Sequence, residues 1–355
     1  MARDFAFIQT SPGRAFVGWG PFEQLPFRRP GRPAFFLTDF FLDEPRPWRH
    51  PAEWEEIALD ELAERFHRTS PKVKWLPVAF EPFADVFASA EAAMARGDFS
   101  KVVPVVFENG RIDSPDGLWN QVLTRVATLP PGLHAYGWSM EGHSTAGATP
   151  EVLFETHGHG YTTMALAGTR PLSHAAELLR EPKELREHRV VVEDIIRRLA
   201  PFGNVEIGAL GILQLPRIAH LITPIFFRES GSERMSFFEM VRRLHPTAAL
   251  GVWPRNEAGE RWLRESDREI GRRSFGAPFG FEREGRLAVA LVGIRNVEWN
   301  ETSIRIGSGA GVLAESRLEQ EFEELRQKRE QVKSLFGLAS EAGIESRAEN
   351  VESRR

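Results

Sequence analysis

Strand-like segments in this 355-residue chain come in runs, with helical segments set between the runs instead of after each strand. Short apolar stretches at residues 6–8, 15–17 and 34–37 follow one another between prolines and glycines. The grouping returns at 134–138, 152–157 and 161–166, again at 207–214 and 220–227, and once more at 280–284, 287–297 and 303–306. A parallel sheet needs a long crossover between neighbouring strands, so this order favours an α+β fold with large mixed or antiparallel sheets and helices packed outside.

Helical spacing of apolar residues predicts helices over 52–65, 82–96, 119–129, 183–199, 236–244, 260–268 and 318–335. Residues 101–108 read as a strand, and Pro104 inside it predicts an edge or a bulge. The polar, charged stretch 336–355 reads as a disordered tail. No internal repeat and no central linker separates the rest, which implies one domain or two tightly interleaved layers.

Composition narrows the function. The chain carries 45 basic against 50 acidic residues, a net charge of −5, which gives no general attraction to nucleic acid or to an anionic membrane. An anionic substrate would therefore have to be met by local positive groups. There is no cysteine, which removes disulfides, thiol nucleophiles and thiolate metal sites. The N-terminus lacks a signal-type apolar run, and no stretch approaches the ~20 apolar residues of a membrane span. A cytoplasmic location is expected.

Residues that could carry chemistry lie on several segments. Glu184 and Glu187 sit one helical turn apart, and Glu321 and Glu324 repeat the pattern on the last helix, with Lys328 a turn beyond. Such pairs are ordinarily solvated faces, but two converging helices of this kind could also offer carboxylate oxygens to a hard cation. The run Gly307-Ser-Gly-Ala-Gly311 fits a tight turn, or exposed N–H groups that hold a carboxylate. Arg295 interrupts an apolar strand; it is either a paired structural residue or a fork for a carboxylate. His220 and His245 can be core histidines or site residues. Lys101 stands at the mouth of a buried strand, where it either reaches solvent or is desolvated into a base.

The order of these segments is more specific than any one of them. Lys101-Val-Val, Thr149-Pro-Glu151, Leu166-Ala-Gly-Thr169, Glu184-x-x-Glu187-His188, His220-Leu221, His245-Pro-Thr247, Arg272-x-x-Phe275-Gly276, Ile294-Arg295, Gly309-Ala-Gly311 and Glu321-x-x-Glu324 follow in sequence over about residues 80–335. This series resembles the chorismate-utilising enzymes, which include isochorismate, salicylate, anthranilate and aminodeoxychorismate synthases. The resemblance implies a site in a central cleft, a catalytic core at 81–335 and a shortened variable part at 1–80. It implies Mg²⁺ as the cofactor, with Glu187 and Glu324 as direct ligands and Glu184 and Glu321 supporting them. It makes chorismate the substrate, with Arg295, Lys328 and the backbone at Gly309 and Gly311 clamping its carboxylates, and Gly168, Thr169 and His220 lining the pocket.

Within the family the resemblance points to water as the nucleophile. Lys101 resembles the base that deprotonates water, where ammonia-using members typically have Gln, and Glu151 resembles the acid that protonates the leaving hydroxyl. Ala167 stands where aminodeoxychorismate synthases carry a nucleophilic Lys. These positions imply conversion of chorismate to isochorismate, for menaquinone or siderophore synthesis, without a glutaminase partner, in a monomer or homodimer. Salicylate synthase and a catalytically silent chorismate binder are the alternatives. Departures from the family pattern are Val-Pro-Val after Lys101-Val-Val, Gly251-Val252 in place of Gly-Gly, and Phe275 in place of Tyr.

Overall fold

The computed structural model describes residues 3–231, 235–283 and 287–339. Among them, seventeen strands join one hydrogen-bonded network, and every registered pairing is antiparallel. A small second sheet places Lys101–Val102 between Val252–Trp253 and Val312–Leu313. Seven α-helices lie against these sheets, so the α+β expectation holds. Most of the predicted tail, residues 340–355, lies outside the described residues.

The network wraps more than one core. Phe5, Phe7 and Trp119 pack with Val332 and Phe336, beneath the helix Leu118–Val126 and the end of the helix Leu318–Phe336. Phe36, Phe154, Ile195 and Met240 form another core beneath the helices Pro182–Leu199 and Phe237–Leu244. Two helices matter most for function. Pro182–Leu199 packs on the strand Gly160–Pro171, and Leu318–Phe336 packs on the strand Ser303–Gly309. Pro182 opens the first of these helices, at a position where its missing N–H would have no partner anyway.

Four expectations change. Residues 52–65 are not one helix: Trp48–Ala58 is a strand and only Leu59–Ala63 is helical. The Ala- and Glu-rich stretch has helical preference, but it pairs with the strand Arg14–Leu25 along most of its length, and that ladder overrides propensity. The segment 207–214 divides into Gly203–Ile207 and Gly211–Gln214, both paired with Ile218–Glu229. The interruption faces Pro224, which has no N–H to give; Gly208 N–H donates instead to the Pro224 carbonyl at 2.8 Å. The segment 287–297 is two strands, Leu287–Val292 and Asn296–Trp299, broken at Gly293 and Arg295. Pro104 marks neither an edge nor a bulge but the point where the chain leaves the small sheet for the strand Val105–Asp113 of the large one. Two strands of the large network had no visible signal: Lys72–Trp75, and His143–Thr149, whose small residues are buried without an apolar alternation.

Candidate active site

The helix Pro182–Leu199 buries Val191, Ile195 and Leu199 along one stripe, and Glu184 and His188 continue that stripe toward its N-terminus. Polar residues thus occupy positions where periodicity would place apolar ones. His188 is absorbed structurally, with Nε2 and Thr223 Oγ1 sharing a 2.8 Å hydrogen bond. The helix Leu318–Phe336 repeats the arrangement, with Glu321 and Arg329 buried in the stripe of Leu325, Val332 and Phe336.

Between these helices opens a cleft. Glu187, Glu324 and Lys328 reach it from the helices; Gly168, Thr169 and His220 reach it from the paired strands Gly160–Pro171 and Ile218–Glu229. Glu151, Arg295, Gly309 and Gly311 complete the expected set. Glu184 and Glu321 line an adjoining hollow that shares Thr169 and Glu324 with the cleft. Lys101 is fully buried behind Gly311.

Local backbone features aim these groups. The ladder of Gly160–Pro171 slips register at Gly168, whose φ of +79° suits glycine. The slip turns the Thr169 N–H onto Glu184 Oε2 at 2.8 Å. Arg295 sits on the break between two strands with φ +54°, an uncommon conformation for a non-glycine residue, and donates to Gln331 Oε1 at 2.7 Å. It is therefore displayed by a turn, not carried on a strand as expected. Burial lowers its pKa to about 10, against the opposing charge of Glu324, so it remains cationic at neutral pH.

The glycine run is partly tied into the sheet. Gly309 pairs with Val105 in the sheet, Ala310 N–H donates to the Pro104 carbonyl at 3.3 Å, and the Gly309 carbonyl accepts from Lys328 Nζ at 2.7 Å. The need for glycine is steric. A Cβ on Gly311 would collide with Glu187 Oε1, and one on Gly307 with the Phe275 ring.

Charge in the site is arranged in pairs. Lys101 Nζ lies 3.1 Å from Glu187 Oε1, an ion pair whose angles leave Nζ without a hydrogen-bond partner among the described residues. Lys183 pairs with Glu321 at 2.7 Å and Lys328 with Glu324 at 2.6 Å. Burial and the Glu187 charge push Glu184 up to about 7. Burial and Glu324 also raise Glu321, in spite of Lys183. Burial is the largest influence on Glu187, but Lys101, Lys328 and Lys183 together outweigh it and hold that carboxyl below its usual range.

Glu151, also in the cleft wall, is 4% exposed, and burial raises its carboxyl to about 7 against the opposing pulls of Thr247 and Lys101. Thr247 Oγ1 lies 3.4 Å from Glu151 Oε1, a long contact. His220 Nδ1 and Thr169 Oγ1 share a 2.9 Å hydrogen bond, while Nε2 is buried with no partner among the described residues. Burial, then Arg295 and Lys328, hold His220 well below its ordinary pKa, so the ring is neutral. A buried, unpartnered ring nitrogen in a cleft wall suits a polar ligand atom. His245 takes the structural alternative: its Nε2 and the Phe40 carbonyl share a 2.7 Å bond outside the cleft.

Reading the sequence missed several contributors. Lys183 was placed only as a helix start, yet it neutralises Glu321. Ile294, visible only as part of the Ile294-Arg295 signal, lines the cleft through a strand break that periodicity did not reveal. Thr247 was visible only as part of the His245-Pro-Thr247 signal.

The carboxylates bear on a metal. Among the described residues, no three His, Asp or Glu groups stand close enough together to chelate an ion. Mg²⁺ does not need three, since it typically takes one or two protein carboxylates and fills its shell with water and substrate. The charges of Glu187 and Glu324 raise Glu184, and that of Glu324 raises Glu321; this all-oxygen set suits a hard divalent cation.

Comparison with known proteins follows the same lines. The sequence profile of the family described as "Chorismate binding enzyme" matches residues 49–337. Isochorismate synthase DhbC of Bacillus subtilis (strain 168) is 26% identical over 326 residues, which span 87% of this chain and 77% of that protein. The matched stretch spans only 42% to 49% of three further curated isochorismate synthases. Among solved structures, MenF, the menaquinone-specific isochorismate synthase of Escherichia coli, superposes with a TM-score of 0.78 at 18% identity, covering 95% of this chain and 89% of that one. A putative 2,3-dihydroxybenzoate-specific isochorismate synthase, DhbC of Bacillus anthracis, also scores 0.78 at 22% identity, covering 95% and 97%.

Proposed function

Because the chain belongs to the chorismate-binding enzymes, we propose that it converts chorismate to isochorismate, adding water at C2 of the ring and releasing the C4 hydroxyl. The observation that carries this reading is a buried amine and a buried acid at one cleft: Lys101, paired with Glu187 at 3.1 Å behind Gly311, and Glu151, which lines the cleft with its carboxyl raised to about 7. Water addition with loss of hydroxide needs a base and an acid on separate flanks, and a carboxyl near 7 still holds a proton for part of the population at neutral pH. In its neutral form Lys101 takes the proton from water, and protonated Glu151 gives its proton to the departing hydroxyl. Arg295 and Lys328 meet the substrate's carboxylates, and the free His220 Nε2 binds a polar substrate atom.

Glu187 and Glu324 would hold Mg²⁺, with Glu184 and Glu321 behind them. When bound, the ion supplies positive charge that lets a carboxylate substrate approach four glutamates. The lysines on Glu187, Glu321 and Glu324 hold those side chains in place. Among the described residues no helix is long and apolar enough to cross a membrane, and we place the activity in the cytoplasm.

The test is incubation of purified protein with chorismate and Mg²⁺, chromatography of the products, and an EDTA control. Isochorismate formed only with the metal supports the reading. Salicylate with pyruvate would reassign the chain to salicylate synthesis, and no conversion would overturn the enzyme reading.

A further inference from the structure

Behind the cleft lies a separate pocket of about 320 Å³, and Arg295 lines both. Its apolar wall comes from Leu133, Leu215, Val332 and Leu335. Three guanidinium groups, Arg125, Arg217 and Arg295, line it, and none of its lining residues is acidic. That is unusual for this molecule, where arginines are commonly paired with carboxylates, as at Arg65, Arg186, Arg198 and Arg264. Among the described residues neither Arg125 nor Arg217 forms an ion pair. Arg217 is steadied instead by Ser334 Oγ, to which its Nη2 donates at 3.0 Å, and Arg295 by the neutral amide of Gln331.

Apolar walls with unneutralised guanidiniums define a chemical class of occupant: a ring-bearing carboxylate, its ring on the leucines and its anion on the forks. We propose that this pocket is a second ligand site for an apolar, aromatic-type carboxylate, distinct from the catalytic cleft. Arg295 connects the two. Its guanidinium, displayed by a turn with positive φ and donating to Gln331, lines both pockets, so an anion on either side draws on the same charge. An occupant of the rear pocket therefore competes for Arg295 and weakens, without replacing, whatever anion the cleft holds. Binding at the rear pocket does not depend on the reaction proposed above; only its coupling to the cleft uses chorismate as a reporter.

The probe is 1-naphthoate, followed by its own fluorescence on titration of the whole chain, with and without saturating chorismate. Arg125→Gln/Arg217→Gln is the key variant. Both side chains are exposed, and its unfolding temperature without ligand checks the fold. The expected result is saturable 1:1 binding, weakened at least 10-fold in the double variant. Saturating chorismate should weaken naphthoate by a limited factor that reaches a plateau. Equal naphthoate affinity in the parent and the double variant would overturn the site. So would complete, unbounded displacement by chorismate, which would put naphthoate in the cleft. If chorismate itself fails to bind, the mutational arm still tests the rear pocket, and the failure falls on the catalytic reading alone.

Discussion

Glu151 shows how one side chain's surroundings decide its chemistry. Its neighbours in the chain, Thr149-Pro-Glu-Val, contain no charge, and it is buried where the strand Val152–His157 begins. With its folded pKa at about 7 against an ordinary 4.5, the neutral form is the one folding favours. Its contribution to stability is complete below about pH 4.5 and is lost as pH rises through 7, by up to about 3 kcal/mol at most. Glu151→Gln, fixed in the neutral state, should hold a flatter melting temperature than the parent between pH 6 and 8. The same substitution removes the proton donor, and turnover should fall about 10²- to 10⁴-fold while chorismate still binds. Parallel melting profiles for variant and parent would mean that Glu151 is ionised in the folded protein.

At the scale of elements, charged residues on helix stripes do opposite jobs at the two ends of Leu318–Phe336. Near its start, Glu321 and Glu324 face the site. Toward its end, Arg329 and Lys333 close on Glu108 of the strand Val105–Asp113, Lys333 Nζ at 2.6 Å and Arg329 Nε at 3.4 Å. Arg329 Nη1 also donates to Ser308 Oγ at 2.7 Å, and Lys333 lies 4.9 Å from the Trp75 ring centroid. This buried network ties the helix to the sheet edge from which Gly309 and Gly311 extend. Glu108→Gln leaves two buried cations short of their counter-charge and should cost about 3 kcal/mol, read as a lower denaturant midpoint. An unchanged midpoint would show that Glu330 and Ser308 suffice. The network also explains why the helix was legible while its function was not: spacing marks a stripe, but whether a stripe position is apolar core, ion pair or site depends on the facing strand.

Across the whole molecule, the site needs both cores. The helix Pro182–Leu199 rests on one and the end of Leu318–Phe336 on the other. Ile195→Ala and Phe336→Ala, one in each core, should cost about 2–5 and 3–5 kcal/mol respectively. If the continuous antiparallel network makes one cooperative unit, each variant unfolds in a single transition and the losses add in the double variant. Two separated transitions would instead mean that the two halves fold independently, with the cleft at their boundary.

What the sequence determined alone was local and ordinal. Runs of strands favoured an α+β chain with mixed or antiparallel sheets; helical spacing of apolar residues located helices such as those at 82–96 and 183–199; and the order of short motifs named thirteen site residues, ten of which line one cleft. These properties depend on residues near one another in the chain. What only the tertiary structure decided was relational. Trp48–Ala58 became a strand because a distant strand paired with it. Arg295 came to face two pockets because a strand broke at Gly293. Glu151 and Glu184 rose to about 7 because other segments excluded water from them. Desolvation, pairing register and charge proximity are properties of segments far apart in sequence and adjacent in space, and no window along the chain contains them.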